Sequence, residues 1–585
     1  MTTAGGSLLV LAIVLPMVGV LLAFACGGRH AERIAHATLL LALGIAVAIA
    51  AAMPRGSGPL VYLLGGWPPP LGVALRADGP AVVMMVIAAV VSVVVGIFAR
   101  GEFHTPAGDD ERRAPFAFWP LLLAIVGALN TVFLAGDLFT LYVALELLTF
   151  AAVPLVCLDG RAETLAAALR YALFALIGSV LYLAGTVLLF GAYGVLDIAL
   201  LARVARADPA TLVAAALMTV GLLAKTALFP LHLWLPPAHA GAPAPASALL
   251  SALVVKGSFF IVVRLWFFVM PGLPGPASAQ LLAALGAAAV VVGSVVALRQ
   301  ERLKLLIAYS TLAQIGYLFL MFPLALDPGS ARLQIGGALT GGLVQAMTHA
   351  TAKAAMFMAA GVMYAALGHD RIAGLAGAGR AMPMSLLAFA LGGVSLVGLP
   401  PSGAYVAKDL LLQAAVGTHQ WWWALVVQAG GFFTSSYLVL VLAHALTPAG
   451  EPVRLRAAVP RVREGAALAL AVCALALGLV DWGTYLAVPP GALSSPLSLA
   501  AFGKSVWPIL GGIVLAILFG RWGDRLPRVP LADDAGAAIG PLRGATVALG
   551  RILERTDTVL RRWPIAGLSL LLLAIAFGAL MELRR

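Results

Sequence analysis

Long apolar runs separated by short polar segments make up most of this 585-residue chain. About sixteen runs are long enough to cross a bilayer as helices, which predicts an all-α polytopic membrane protein. We expect the first run to be a retained helix, because no basic residue precedes it and no cleavage site with a polar sequence follows it. The runs lie near 6–26, 34–53, 79–99, 115–135, 137–158, 166–191, 210–230, 243–270, 279–298, 303–323, 335–366, 382–417, 420–446, 465–486, 500–520 and 563–582.

Composition and charge agree with this class. Hydrophobic residues form 62% of the chain and charged residues 11%, whereas soluble domains are about a quarter charged. With the N-terminus outside, Lys and Arg of the inner loops outnumber those of the outer loops about threefold. The net charge of +12 is therefore interpreted as orientation charge and not as a nucleic-acid site. Both termini are predicted on the non-cytoplasmic side.

Motifs for cofactors and metals do not occur in the sequence. Cys26, Cys157 and Cys473 lie within or at the ends of apolar runs, and no pair has metal-ligand spacing. There is no P-loop, dinucleotide fingerprint, CxxC or haem motif. We expect no cofactor, no metal site and no catalytic chemistry in this chain itself.

Four regions are predicted. They are N-terminal spans with an outer loop (1–114), a first repeat (115–270), a second repeat (271–446) and C-terminal spans with an amphipathic inner segment (447–585). The Pro/Gly-rich outer loop 54–78 contains a short apolar stretch that predicts a strand or hairpin. In the inner segment 521–562, Leu549, Ile552, Leu553 and Leu560 recur at helical spacing. An interfacial helix and a solvated linker helix both fit that spacing.

Two spans contain helix breakers. One reads GLLAKTALFPLHLWLPPAH, with Pro230 five residues beyond Lys225, and the other reads GGVSLVGLPPSGAYVAKDLL, with Pro400 and Pro401 ahead of Lys408. Proline removes a backbone donor, and unpaired backbone at membrane depth is tolerated only against protein or a water-filled cavity. Two broken helices about 180 residues apart predict two structural repeats, each with an ion site at its break.

Lysine is rare and concentrated in the apolar runs. Of six lysines, four lie there: Lys225, Lys256, Lys353 and Lys408. A lysine at mid-membrane costs about 2.5–3.5 kcal/mol. Unlike arginine, a desolvated lysine can release its proton. The pattern predicts proton-exchanging groups in the interior.

Glu146 is the acidic counterpart of these lysines. It lies near the middle of the fifth predicted span, and Lys225 is the first lysine downstream. A buried carboxylate needs a partner or a proton, so we expect the two to pair and Lys225 to release its proton when the pair loosens. The alternative is a static ion pair that fixes helix packing. Asp137, at the start of the same span, is predicted as a helix N-cap.

The remaining candidates follow in the second half of the chain. His349 and Lys353 are four residues apart and share one helix face, which suggests a proton wire. Lys256 lies too deep to snorkel and is predicted to be a relay. His239 either takes up protons from the cytoplasm or is a loop histidine with a structural hydrogen bond. Lys408 is predicted to exchange protons with the outer side, the alternative being a snorkelling lysine.

These stretches together resemble the antiporter-like membrane subunits shared by respiratory complex I, membrane-bound hydrogenases and Mrp-type sodium/proton antiporters. The resemblance covers about residues 115–420 and is carried by the Glu146 span, AKTALFPLHLWLPPAHAGAPAPASALLSALVVKGS, RLKLLIAYSTLAQIGYLFL, HATAKAAMF and GLPPSGAYVAKDLL. It implies a fourteen-helix core with two inverted five-helix repeats, in a bacterial or archaeal cytoplasmic membrane. Glu146 and Lys225 would be the coupled pair, Lys256, His349 and Lys353 the central axis, and Lys408 the outlet.

Four functions fit the sequence. The first is a subunit of a multisubunit cation/proton antiporter of Mrp type, which moves protons and Na⁺ or K⁺; GGWPPPLGVALRADGP and APAPASALL favour the Mrp and hydrogenase branch. The second is a proton-pumping subunit of a redox complex, and the third is a proton channel that energises an inorganic-carbon uptake partner. The fourth is a scaffold whose buried charges only hold helices. The resemblance also implies sibling membrane subunits of a larger complex as partners.

Overall fold

The computed structural model describes residues 2–53, 58–106, 108, 111–273, 275–330, 332–449, 453–491, 495–519 and 532–582. The all-α fold class is confirmed. The helices in chain order are α1 (Ser7–Cys26), α2 (Gly28–Ala52), α3 (Gly79–Phe103), α4 (Arg113–Leu134), α5 (Leu138–Val156), α6 (Ala162–Tyr193), α7 (Ile198–Val204), α8 (Pro209–Thr226), α9 (Leu235–Gly241), α10 (Ala244–Leu249), α11 (Val255–Val263), α12 (Gly275–Leu298), α13 (Leu303–Phe319), α14 (Met321–Leu324), α15 (Gly337–Leu367), α16 (Ala378–Ala381), α17 (Pro383–Val397), α18 (Gly403–Gly417), α19 (Trp421–Leu446), α20 (Arg461–Ala476), α21 (Leu499–Phe519), α22 (Ala532–Leu560) and α23 (Trp563–Glu582).

The predicted spans match the observed helices. Within the described residues, 15 helical stretches are long and apolar enough to cross a membrane. They coincide with all of the predicted runs except 382–417, which is the broken pair α17 and α18. The helices α10 and α11 belong to one buried stretch, Ala244–Val269, in which they are joined by π-helical Leu250–Val254.

Local sequence signals explain the start of α5 and the structure of the outer loop. Asp137 is the N-cap of α5, as predicted, and its carboxylate accepts a hydrogen bond of 2.8 Å from the backbone N–H of Thr140. In the outer loop, β1 (Leu60–Leu63) and β2 (Ala74–Ala77) form an antiparallel hairpin. The short apolar stretch between α2 and α3 is therefore a hairpin.

Both predicted helix breaks are present. The first is earlier than the proline pattern suggested, because α8 ends at Thr226 and Ala227 adopts a left-handed conformation with φ of 58°. In the second, α17 ends at Val397, and Gly398 terminates it with φ of 85°. Left-handed residues are common just past a helix end because they satisfy its last carbonyls. Each break leaves a lysine close to the C-terminal end of a half-helix: Lys225, which is buried, and Lys408, which is half-buried.

Close packing of glycines positions the first of these lysines. The helices α6 and α8 approach at Gly178 and Gly221, where a Cβ added to Gly221 would lie 2.3 Å from the carbonyl oxygen of Gly178. Small residues allow membrane helices to approach this closely. Lys225 lies one helical turn after Gly221, so this contact fixes the depth and direction of its side chain.

The C-terminal region adds α20 to α23 to the core. Residues 521–531 of the predicted amphipathic segment lie outside the described residues, but α22 covers the remainder up to Leu560. Its Leu549 and Ile552 are 47% and 58% exposed, whereas Asp557 is buried. An exposed apolar face beside a buried attachment fits the interfacial helix better than the solvated linker helix. The predicted boundaries of the two repeats stay a prediction.

Candidate functional site

The Glu146–Lys225 pair predicted from the sequence is present. The Nζ of Lys225, in the last turn of α8, donates to Glu146 Oε1 at 3.1 Å and to Thr149 Oγ1 at 3.0 Å. It also lies 3.3 Å from the carbonyl oxygen of Leu145. The side chains of Lys225 and Glu146 are only 6% and 17% exposed. The ammonium group is thus held by one carboxylate and by polar atoms of α5, all in a largely dry interior.

Polar atoms continue from this pair into the protein. Thr226 Oγ1 donates to Ser258 Oγ at 3.0 Å, which links the end of α8 to α11. A cavity of about 10 Å³ lies between Lys225, Thr149 and Ser258. A volume of this size is close to the minimum for one water molecule. The first lysine is therefore connected to the helix that carries Lys256.

Lys256 and His349 form the centre of the site. Lys256 Nζ contacts Nδ1 of His349, and it also donates to the carbonyl oxygen of Ser251. Both side chains are fully buried. Lys256 follows the π-helical turn Leu250–Val254, and such turns occur often at functional sites. The sequence predicted both residues as relays but did not predict that they touch, since they are 93 residues apart.

The face shared by His349 and Lys353 looks into the protein, as predicted. Both residues lie on α15 with no exposed surface. Lys353 Nζ donates to Ser310 Oγ of α13 at 2.5 Å. Ser251 Oγ lies 2.9 Å from Oγ1 of Thr311, the next residue on α13. The two sides of the centre thus meet at adjacent hydroxyl groups of one helix.

Amides extend the path along α13. Gln345 Nε2 donates to Gln314 Oε1 at 2.9 Å, and Gln314 Nε2 donates to Thr434 Oγ1 at 2.9 Å. All three side chains are buried. Three or four residues separate Ser310, Gln314 and Tyr317, so they share one face of α13.

Lys408 ends the path at the second helix break. Its Nζ donates to the carbonyl oxygen of Val397, the last residue of α17, at 2.6 Å. The same nitrogen lies 5.2 Å from the ring centroid of Tyr317. We call the whole set the polar row: Glu146, Lys225, Ser258, Lys256, His349, Ser251, Thr311, Ser310, Lys353, Gln345, Gln314, Thr434, Tyr317 and Lys408. Lys408 points inward onto protein groups, which does not fit the snorkelling alternative.

His239 lies apart from the polar row, in the short helix α9 of the first break. Its ring is fully buried and stacks on Phe357 with 4.8 Å between centroids. Neither ring nitrogen has a hydrogen-bond partner within the described part of the chain. The alternative of a loop histidine with a structural hydrogen bond therefore does not fit. A cavity of about 540 Å³ begins at Ala240 and Gly241 and is also lined by Lys304.

One functional candidate was missed by the sequence analysis, namely Asp557 of α22. Its carboxylate lies 2.7 Å from Nε2 of His232 in the first break, and it accepts hydrogen bonds from Tyr309 at 2.8 Å and Arg561 at 2.9 Å. Burial alone would raise the pKa of Asp557, but the hydrogen bond and charge of His232, then Arg561 and Tyr309, hold its pKa below the usual range. The sequence does contain a signal for Asp557. It lies four residues after Leu553 and three before Leu560, on the same apolar face of the predicted helix, where a carboxylate is unexpected.

A second missed pair lies at the opposite end of the molecule. Arg264 makes a two-pronged ion pair with Asp78, the N-cap residue of α3, and one of the two contacts measures 2.8 Å. The guanidinium group also lies 4.8 Å from the ring centroids of Phe260 and Phe268. This arginine is buried inside an apolar run, although most arginines of the chain are in loops. The carboxylate of Asp78 holds both terminal nitrogens of the guanidinium group, which favours a packing role.

The fold and the polar row define a class: a multi-pass helical membrane protein with a buried path of ionisable groups between two broken helices. The chain belongs to the NADH:quinone oxidoreductase/Mrp antiporter membrane family, whose model matches residues 135–434. This range contains every residue of the polar row.

Relatives of two kinds are found. The chain is 31% identical over 469 residues to an NADH-quinone oxidoreductase subunit of Desulforudis audaxviator, covering 77% of this chain and 89% of the relative. It is 28% identical over 392 residues to a Na(+)/H(+) antiporter subunit of Alkalihalophilus pseudofirmus, covering 66% and 76%. The fold is similar to a chain of the Mrp complex from Dietzia sp., with a TM-score of 0.72, 23% identity and coverage of 88% and 98%. The family resemblance read from the motifs is confirmed.

Proposed function

We propose that this chain is a proton-translocating, antiporter-like subunit of a multisubunit membrane complex, with cation/proton antiport of Mrp type as its activity. The observation that carries the proposal is the polar row, in which buried and half-buried amines and an imidazole lie among hydroxyl and amide groups. Several buried ionisable groups are expensive in a membrane protein and usually mark an ion path. The antiporter relative and the similarity to an Mrp complex support the same proposal.

In the proposed mechanism, the proton moves between nitrogen atoms of the polar row. Glu146 stabilises the ammonium form of Lys225, and separation of the two lets Lys225 pass its proton toward Ser258 and Lys256. Contact between Lys256 Nζ and His349 Nδ1 then allows transfer, because a neutral imidazole accepts a proton at one nitrogen and can release one from the other. Lys353 and Lys408 receive protons in turn.

Water is the expected link where the row has gaps. His349 Nε2 and Gln345 Oε1 are buried and have no partner among the described residues. Buried polar atoms are usually satisfied by protein or ordered water. His239 and the cavity beside Gly241 form the proposed route of proton uptake, since the cavity begins at Ala240, the residue directly after His239, and is lined by Arg161, Arg302 and Arg463.

The orientation is part of the proposal. Glu32 pairs with Arg100, and Glu102 pairs with Arg463, so the ends of α2, α3 and α20 lie on one side. That side carries most of the loop arginines, which favours the cytoplasm. Both termini then face the other side. A reporter enzyme that is active only in the cytoplasm should give no activity when it is fused to either terminus. Activity from both fusions would contradict this orientation.

A second candidate is a proton-pumping subunit of a redox complex. It is favoured by the relative named as an NADH-quinone oxidoreductase subunit, at 31% identity. Purification of the tagged chain with its partners separates the two candidates. Small membrane subunits alone would support antiport, and iron–sulfur or hydrogenase subunits would support the redox complex.

The central test is Lys225→Ala in the native complex. We expect proton transport into vesicles, measured with a pH-sensitive dye in the presence of Na⁺ or K⁺, to fall at least tenfold, since a proton-carrying group is lost. The matched control is Lys504→Ala, which changes an exposed lysine outside the polar row and should transport normally. Normal transport by assembled Lys225→Ala would refute the relay, and loss of assembly would favour the scaffold.

A further inference from the structure

A basic cavity lies between the N-terminal helices α2 and α3, far along the chain from the polar row. It has a volume of about 580 Å³ and is lined by Arg29, Arg33, Arg100, His104 and Glu32, among others. Counting the three arginines against the one glutamate, with neutral histidines, its formal charge is +2. The cavity opens on the side that we assign to the cytoplasm.

A buried glutamate forms the floor of this cavity. Glu32 is 6% exposed, and its two carboxylate oxygens are both engaged. Oε1 lies 3.0 Å from Nε of Arg100, and Oε2 lies 2.7 Å from Nδ1 of His104. The carboxylate contacts one nitrogen of Arg100 and one nitrogen of His104, which fixes the direction of both side chains. Their remaining nitrogen donors do not contact Glu32.

Two further arginines line the cavity without a counter-charge. Arg29 and Arg33 lie one helical turn apart on the same face of α2, and within the described residues neither has an ion-pair partner. Like charges four residues apart repel each other by a few tenths of a kcal/mol. Glu111, whose carboxylate lies at the start of α2, accepts from the backbone N–H of Gly28 instead. An anion in the cavity would relieve this repulsion and fill the free guanidinium donors.

The same face of α2 continues as an apolar, exposed stripe. From Arg33 it runs through Ala37, Leu40, Leu41 and Val47, and the last three are 59%, 58% and 52% exposed. Arg33, Ala37 and Leu40 follow at steps of four and three residues, and Val47 lies two helical turns after Leu40, so they lie on one side of the helix with Leu41 at its edge. A ligand with a negative head and hydrocarbon tails would match both parts of this surface at once.

We propose that this cavity binds the phosphate-bearing head group of an anionic phospholipid, with the acyl chains lying along the apolar stripe of α2. Basic pockets between membrane helices on the cytoplasmic side recognise such head groups. Arginine suits this task because its planar fork donates two hydrogen bonds to a phosphate. The site is independent of proton transfer and would anchor the N-terminal helices in the membrane.

The test uses the full-length chain, purified with its partners, in phosphatidylcholine nanodiscs that contain a small fraction of phosphatidylglycerol. Bound phosphatidylglycerol is counted by native mass spectrometry during titration. For R29Q/R33Q we expect affinity to fall about 30-fold, because each basic residue near anionic lipid contributes about a factor of five. The charge-retaining R29K/R33K should keep most of the affinity, and R371Q/R380Q, two exposed arginines on the same side, should keep all of it.

Three outcomes would overturn the proposal. One is equal phosphatidylglycerol binding by R29Q/R33Q and the parent, provided that both are monodisperse. Another is saturation of the site by millimolar inorganic phosphate, which would indicate a soluble anion. The third is protection of Arg29 and Arg33 from chemical modification by a sibling subunit in the absence of anionic lipid.

Discussion

Asp557→Asn should release α22 from the core of the protein. The carboxylate of Asp557 joins α22 to the first helix break through His232 and to α13 through Tyr309. Asparagine has nearly the same shape but no charge. Its NH₂ group is a hydrogen-bond donor and would be placed against side chains that also donate. The perturbation therefore removes an attachment without creating a cavity.

The size of the effect follows from the contacts. Asp557 is 2% exposed and holds three polar partners at 2.7, 2.8 and 2.9 Å. Each hydrogen bond to a charged group contributes about 1.5–3 kcal/mol, but shared partners make the sum less than additive. Removing one member of a buried charged network costs about 3 kcal/mol. We therefore expect the undocked state of α22 to become about 100-fold more populated.

Hydrogen exchange measures this population directly. In nanodiscs, amide protection within residues 544–560 should fall about 100-fold in Asp557→Asn, because local opening limits exchange. Asp327→Asn, which alters an aspartate in the loop between α14 and α15, should leave that protection unchanged. Full protection of α22 in Asp557→Asn would refute the argument and would show that the ion pair of Glu554 with Arg299 at 2.8 Å suffices to dock the helix.

The same attachment should weaken in acid. The folded-state pKa of Asp557 lies below its ordinary value, so the carboxylate stabilises docking above the unfolded-state pKa of about 3.9. That contribution is lost as the pH falls through the lower, folded-state pKa. Protection of α22, corrected for the intrinsic exchange rate, should consequently drop only in the acid range and should converge with that of Asp557→Asn there. Convergence already at neutral pH would contradict the assignment of the charge.

Two further changes probe the polar row. Glu146→Gln keeps an oxygen near Lys225 but removes about 3 kcal/mol of buried ion-pair energy, so proton transport in vesicles should fall at least tenfold with assembly intact; full-rate transport would exclude the pair from the path. Gly430→Ala places a Cβ 1.7 Å from the hydroxyl oxygen of Tyr317, which should destabilise the protein by about 1–3 kcal/mol and slow transport. Gly417→Ala, where no atom lies within 4 Å, is its control in both the thermal unfolding and transport assays, and equal behaviour of the two variants would show that Tyr317 moves freely.

Sequence patterns determined those features that depend on neighbours along the chain. The spans follow from runs of apolar residues, the N-cap at Asp137 from its position before a run, and the breaks from proline and glycine. The Glu146–Lys225 pair could also be predicted, since a buried carboxylate requires a positive partner and Lys225 is the first lysine downstream. In each case the physical rule concerns solvation or local backbone geometry.

Contacts between distant segments could not be predicted in the same way. His232 and Asp557 are 325 residues apart, and their meeting depends on how α22 crosses the core, which no local pattern encodes. Lys256 and His349 were both recognised as buried polar residues, but their contact depends on the π-helical turn before Lys256, which rotates the side chains that follow it. Hydrophobic periodicity does not report such a turn.

Both helix breaks solve one electrostatic problem in the same way. Lys225 lies in the last turn of α8, and Lys408 donates to the last carbonyl group of α17. The C-terminal end of a helix carries partial negative charge and free carbonyl groups. Each lysine therefore meets a fixed dipole that favours its ammonium form, and of the two, within the described residues, Lys225 alone also has a carboxylate partner, Glu146. The two ends of the polar row therefore differ in their electrostatic partners, and movement of Glu146 away from Lys225 would remove that difference.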